Sequence, residues 1–294
     1  MFKILSKKVL APEIYSMEIE APRIARSALP GQFIIMRVGE KGERIPLTVA
    51  DYDAEKGSVT VVIQTIGKST KMICELNEGD YVDDFAGPLG HPSELIEIPI
   101  EELQKMNILF IAGGVGTAPV YPQVKWMSEH GVDVDVIVGS KNSQMLIYKE
   151  EMAAVASNLY ITTDDGSEGF KGLVTAQLED LVNNQGKKYD VVVAIGPMIM
   201  MKFVALTTKK LGIKTIVSLN TLMVDGTGMC GACRVTVGGK MKFTCVDGPE
   251  FDAHEVDFDE AMCRQRMYDN LEERMAKIAA EREAGHKCRI GLDK

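Results

Sequence analysis

The run Ile108-Leu109-Phe110-Ile111-Ala112-Gly113-Gly114-Val115-Gly116-Thr117-Ala118-Pro119 decides the fold. Its apolar first half reads as a strand buried on both faces, its glycines as a turn, and Thr117-Ala118-Pro119 as the opening of a helix. Working outward, apolar runs at residues 132–138, 159–162, 191–195 and 213–219 alternate with helix-length segments. That alternation predicts a parallel sheet with crossover helices on both faces. Ligands of such sheets bind outside the carboxyl ends of the strands, where Gly113, Gly114, Gly116 and Thr117 fall. Glycines there let a dinucleotide's pyrophosphate approach the backbone, and the helix N-terminus supplies oriented N–H groups. The spacing is not G-x-G-x-x-G, and such a turn also serves as an ordinary tight connection. A second turn, Gly196-Pro197-Met198, lies on the same edge, with Gly196 and Pro197 placed to wall a nicotinamide pocket. Asp164-Asp165-Gly166-Ser167 is a third loop on that edge, or simply a helix cap.

Upstream, to about residue 100, short alternating apolar runs such as residues 32–38 and 58–64 are separated by Pro, Gly and Asp. They predict an antiparallel β-barrel or sandwich. Within it, Arg44-Ile45-Pro46-Leu47-Thr48 sets a cation and a hydroxyl beside a strand, which suits a flavin: Arg44 for the pyrophosphate, Thr48 toward the isoalloxazine. Gly67-Lys68-Ser69-Thr70 opens a helix-like segment and offers amides and hydroxyls to phosphate. Each stretch also has a plain reading, a surface arginine and a capped helix start. Residues 91–105, with Pro92 and Pro99, read as the connector between the two regions.

Downstream of Leu219 the periodicity stops. Asp225-x4-Cys230-x2-Cys233-x11-Cys245 follows the C-x4-C-x2-C…C spacing of a plant-type [2Fe–2S] site, with Asp225 in the first cysteine's place. Gly226, Gly228 and Gly231 suit a loop folded tightly round a cluster. A structural zinc site also takes four such ligands, although zinc ribbons usually bring two CxxC knuckles and this chain has one. Asp247 and Cys263 are alternative ligands. Residues 234–237 and 241–244 read as a hairpin round Gly238-Gly239, and residues 260–283 carry Met262, Met267, Leu271, Met275 and Ile278 at helical spacing.

The chain has 294 residues, 46% hydrophobic and 26% charged, which accommodates two compact domains and an appendage. A net charge of -9 argues against nucleic-acid or anionic-membrane partners, which are held by clustered Lys and Arg. No window reaches the roughly 18 apolar residues of a membrane span, and no signal peptide is evident, so a cytoplasmic location is expected. In a reducing compartment the crowded cysteines favour metal over disulfides.

Taken in order, these motifs resemble the ferredoxin–NADP reductase superfamily, in the branch that adds a C-terminal [2Fe–2S] loop. That branch includes the electron-transfer subunits of class B dihydroorotate dehydrogenases and the small subunits of electron-bifurcating NADH-dependent reduced ferredoxin:NADP oxidoreductases, also named sulfide dehydrogenases. Asp225 and a chain running on from Cys245 to residue 294 resemble the second group more. The resemblance implies β + α/β architecture: an antiparallel β-barrel FAD domain (1–100), a parallel-sheet α/β domain for NAD(H) (101–219), and a [2Fe–2S] loop and helix (220–294). By the same resemblance Arg44, Pro46, Leu47 and Thr48 match the flavin motif, whose usual R-x-Y-S/T is altered here. Gly67, Lys68, Ser69 and Thr70 match its phosphate loop, and Gly113, Gly114, Gly116, Thr117, Gly196 and Pro197 match the nicotinamide loops. Asp225, Cys230, Cys233 and Cys245 become the cluster ligands, and a larger flavin and [4Fe–4S] subunit becomes the partner in a heterodimer. NAD rather than NADP follows from the resemblance alone, because Ser140 and Lys141 equally suit a 2′-phosphate. A free-standing oxygenase-type reductase and a colourless zinc-stabilised module are the rival classes.

Overall fold

A computed structural model describes residues 1–40 and 42–268. The N-terminal strands are β1 (Phe2–Ala11), β2 (Ile14–Glu20), β3 (Phe33–Arg37), β4 (Ile45–Asp53), β5 (Ser58–Gln64), β6 (Tyr81–Val82) and β7 (Asp84–Leu89). All pair antiparallel, in the order β6-β1-β2-β5-β4-β3-β7, as a near-closed barrel. Alternation along β5 shows how the sequence builds it. Val59, Val61 and Ile63 point into the barrel core, whereas Val62, on the opposite face, is buried against Ala118 of the next domain.

The second sheet begins with β8 (Ile108–Gly113), β9 (Val134–Ser140), β10 (Asn158–Thr163), β11 (Phe170–Lys171), β12 (Val191–Ile195) and β13 (Lys214–Ser218), all parallel. Ile108 and Phe110 face one helical layer, Leu109 and Ile111 the other, so the run is apolar at every position. Beyond it come a hairpin of β14 (Arg234–Val237) and β15 (Lys240–Phe243), then β16 (Glu250–Asp252) and a helix, Phe258–Gln265. β16 joins the parallel sheet antiparallel to β13, completing the order β11-β10-β9-β8-β12-β13-β16.

Several boundaries differ from expectation for identifiable reasons. Val132 is buried but lies before β9, its N–H bonded to Met127 O at 2.9 Å to close the preceding helix. Ile213 likewise bonds Thr208 O at 3.0 Å after Gly212 turns the chain at φ +69°. Burial alone therefore overextended both strands. The loop at residues 164–167 caps no helix: Asp165 Oδ1 accepts from Ser167 N at 2.9 Å, and β11 follows. The C-terminal helix begins two residues early, at Phe258, because the Asp257 carboxylate caps Glu260 N at 2.9 Å. Leu271, Met275, Ile278 and the rest of that expected helix lie outside the described residues. Among the described residues no helix is long and apolar enough to cross a membrane.

Candidate functional site

The flavin motif lies on β4 itself, paired with β3: Thr48 opposite Phe33, Leu47 opposite Ile34, Pro46 opposite Ile35. Ile34 and Leu47 pack into the barrel, so Leu47 offers a ligand only its backbone. Phe33 and Ile35 point outward, and with them the face bearing Pro46 and Thr48. Arg44, just before the strand, donates through Nη2 to Asp225 O at 3.3 Å, while its Nε is buried without a partner among the described residues. An enclosed guanidinium N–H without an acceptor is what an anionic flavin diphosphate would satisfy, and the motif fits FAD on that ground.

Gly67 caps the helix Lys68–Glu75, and the Thr70 hydroxyl accepts from Ile66 N and Gly67 N, both at 3.0 Å. Ser69 Oγ is held by the Glu43 carboxylate. Both hydroxyls expected to meet phosphate are thus engaged locally, which leaves the backbone N–H groups of the helix start as the available donors.

The nicotinamide turns interlock. A Cβ on Gly116 would lie 2.3 Å from Ile195 O, one on Gly196 3.1 Å from Gly113 Cα, and one on Gly113 3.2 Å from Pro197 Cδ. Turn-against-turn packing by itself requires a glycine at each of these positions. Gly114 is the exception, at φ +55° with open space around it. Thr117 Oγ1 donates to Gly114 O at 2.9 Å and fixes the turn where the helix Thr117–Glu129 begins. Met200, which the sequence reading missed, fills the gap over Gly113 and Gly196 with its thioether.

The cysteine loop presents two donor pairs. Cys230 Sγ lies 3.3 Å from Asp225 Oδ1, and Cys233 Sγ 3.2 Å from Cys245 Sγ. Among the described residues no three His, Cys, Asp or Glu side chains gather round one point, as a mononuclear zinc site would need. Two pairs instead match a binuclear cluster, in which each iron takes two protein ligands. Burial, then the Cys233 thiol, push the Cys245 thiol up to about 12. Burial also works against ionised Asp225, but the Thr227 N–H, the Cys230 thiol and the Met229 N–H together hold its carboxyl below the usual range. Neither alternative ligand joins them: Asp247 accepts from Phe243 N at 2.7 Å, and Cys263 is exposed on the final helix.

The loop seats on the barrel. Cys233, Cys245 and Met223 are buried against Phe33 and Ile35, with Leu89 and Phe243 alongside. The signal for this was present in the sequence, because β3 is apolar at four consecutive positions, Phe33 to Met36, which marks a strand covered on both faces. A further junction had no such signal. Glu250 on β16 accepts from Ser93 Oγ at 2.9 Å and from Gln123 Nε2 at 2.8 Å, tying connector, nucleotide helix and cluster segment together.

A flavin-type barrel, a dinucleotide-type parallel sheet and a cysteine loop seated between them define a flavin- and nicotinamide-dependent electron-transfer oxidoreductase. Residues 110–206 match the oxidoreductase NAD-binding domain, and residues 220–257 the iron–sulfur cluster binding domain of dihydroorotate dehydrogenase B. A Thermotoga maritima homologue of the dihydroorotate dehydrogenase B (NAD(+)) electron transfer subunit is 43% identical, over 96% of this chain and 98% of its own. The corresponding subunit of Geobacillus thermodenitrificans is 34% identical, over 86% and 96%. A solved structure of NADH-dependent reduced ferredoxin-NADP oxidoreductase superposes with a TM-score of 0.87 at 41% identity, over 97% of this chain and 98% of that one. The chain belongs to the family of dihydroorotate dehydrogenase B electron-transfer subunits and their homologues. It is an NAD(P)H-dependent oxidoreductase subunit that uses FAD, NAD(H) and a [2Fe–2S] cluster and works with a partner subunit.

Proposed function

We propose that this chain is the small subunit of a cytoplasmic, electron-bifurcating NADH/NADPH/ferredoxin transhydrogenase, joined to a larger flavin and [4Fe–4S] subunit. Residues 1–100 hold FAD, 101–219 NAD(H) and 220–294 the cluster. The two donor pairs, with a carboxylate in one of them, carry this reading. The oxidoreductase structure aligns with 97% of this chain and the Geobacillus subunit with 86%, which supports this reading, while the Thermotoga homologue aligns with 96%.

The bound cofactors supply the redox chemistry, a hydride exchanged between nicotinamide and flavin and single electrons carried by the cluster. The chain's residues place them. Arg44 and the amides of Lys68, Ser69 and Thr70, opened by the turn at Gly67, bind the flavin's phosphates, and Pro46, Leu47 and Thr48 line its ring with backbone and hydroxyl groups. Gly114 gives the nicotinamide's pyrophosphate access to the N-terminus of the helix Thr117–Glu129, while Gly113, Gly116, Gly196 and Pro197 shape the wall beside it. Asp225, Cys230, Cys233 and Cys245 hold the irons, and burial of Cys233 and Cys245 excludes water from one side. No side chain of the chain is required to move a proton.

Visible spectroscopy of anaerobically purified protein, with iron and zinc analysis, tests the reading. Flavin bands, a broad iron–sulfur envelope bleached by NADH, and about two irons per chain are expected. A colourless zinc protein that stays colourless on reconstitution would overturn it.

A further inference from the structure

Arg44, in the flavin motif, reaches the cluster loop. Its Nη2 donates to the main-chain carbonyl of Asp225 at 3.3 Å, and its Nε, on the same edge of the guanidinium, is enclosed and without a partner among the described residues. Asp84, whose carboxylate feels the Arg44 charge, is taken instead by Arg37 at 2.6 Å. Asp225 in turn opens the cluster loop, and the next residue is wedged on the flavin strands: a Cβ on Gly226 would lie 2.9 Å from Ile35 Cγ1 and 3.2 Å from Leu89 Cδ1. Ile35 pairs with Pro46 of the flavin motif. One hydrogen bond and one close contact therefore join residues 225 and 226 of the cluster loop to the flavin motif and to the strand paired with it.

Resting on the function proposed above, we propose that Arg44 is a positioning residue that couples flavin binding to the cluster loop. A flavin diphosphate accepting from Nε fixes the guanidinium plane, and the fixed plane holds the Asp225 peptide in the conformation that presents its carboxylate beside Cys230. A planar fork is suited to this because its N–H groups keep a rigid mutual geometry, which a lysine ammonium does not. Coupling of this kind is reciprocal: if flavin steadies the cluster by some factor, the cluster tightens flavin by the same factor, roughly five- to twentyfold for one such contact.

The test is a binding cycle on the full chain. Flavin affinity is measured by FAD fluorescence with the cluster intact and after chelator has removed the iron, and iron release to the chelator is timed with and without FAD. In the natural protein, iron removal is expected to weaken FAD binding about five- to twentyfold, and FAD to slow iron release comparably. Arg44→Gln weakens FAD in both states but brings the ratio close to one; Arg44→Lys recovers part of the affinity without recovering the ratio. A ratio of one in the natural protein overturns the proposal, as does an unchanged ratio in either variant. Should Arg44→Gln fail to fold, the natural protein and Arg44→Lys still decide. Protein that binds FAD and about two irons but shows no coupling fails this inference alone; protein that binds neither fails the proposed function and this inference with it.

Discussion

Cys230 turns its thiol onto Asp225, with Sγ 3.3 Å from Oδ1. In the plant-type spacing two cysteines at these positions share one iron, and as the proposed ligand Asp225 would donate less electron density through oxygen than a thiolate does. Asp225→Cys is therefore expected to keep two irons, alter the EPR spectrum and lower the cluster's midpoint potential by on the order of tens of millivolts. An unchanged spectrum and potential would remove Asp225 from the ligand set.

Two glycines in the same segment share a backbone conformation but not their surroundings. Gly226 has φ +77° and is pressed on Ile35, whereas Gly239 has φ +71° and nothing within 4 Å. Gly239→Ala is expected to cost about 1 kcal/mol, the conformational strain alone. Gly226→Ala adds overpacking, for about 3 kcal/mol, and loosens the cluster loop. Denaturant unfolding measures the first difference and chelator-driven iron release the second; equal costs at the two sites would refute the account of the seat.

At the nicotinamide turns the same logic separates packing from binding. Gly116→Ala, whose new methyl would meet Ile195 O at 2.3 Å, is expected to destabilise the fold by about 3 kcal/mol. Gly114→Ala meets open space, costs about 1 kcal/mol from its φ of +55°, and instead raises the KM for NADH several-fold. Thermal melts beside steady-state kinetics distinguish them, and an unaltered KM in Gly114→Ala would show that the cofactor does not approach there.

Glu250 supplies a pH signature. Its residue is half-buried but its carboxyl end is enclosed, and that burial pushes its pKa above the ordinary value of 4.5, with Glu94 reinforcing and the Ser93 and Gln123 hydrogen bonds opposing. The folded protein thus keeps a proton that the unfolded chain releases. Its stabilisation is complete below pH 4.5 and is lost as pH rises through the folded-state pKa. Glu250→Gln, neutral throughout, is expected to gain in Tm relative to the natural protein as pH increases over that window. A Tm difference independent of pH would mean that Glu250 is ionised in the folded state.

Much of this was legible because local pattern and global layer agreed. Continuous apolar runs located every principal strand of the parallel sheet, since burial on two faces leaves no polar positions to confuse the period. The cysteine spacing announced the loop. Illegible were relationships between segments distant in sequence: Gly226 resting on Ile35, Met200 covering Gly113, and Glu250 meeting Ser93 and Gln123. The purpose of individual glycines was also hidden, because a glycine needed for backbone contact and one needed for a ligand are the same letter.

Leu219 N donates to Pro249 O at 3.0 Å, and Ser218 pairs with Glu250, so the chain leaves the sheet and rejoins it on neighbouring strands. The metal-bearing excursion is pinned shut at its base. Because the entropy of closing a loop grows only slowly with its length, such an excursion can be lengthened, trimmed or given other ligands while the sheet beneath keeps its register. In evolutionary terms it is a cassette: descent can change the metal chemistry of this chain and inherit the nucleotide machinery whole.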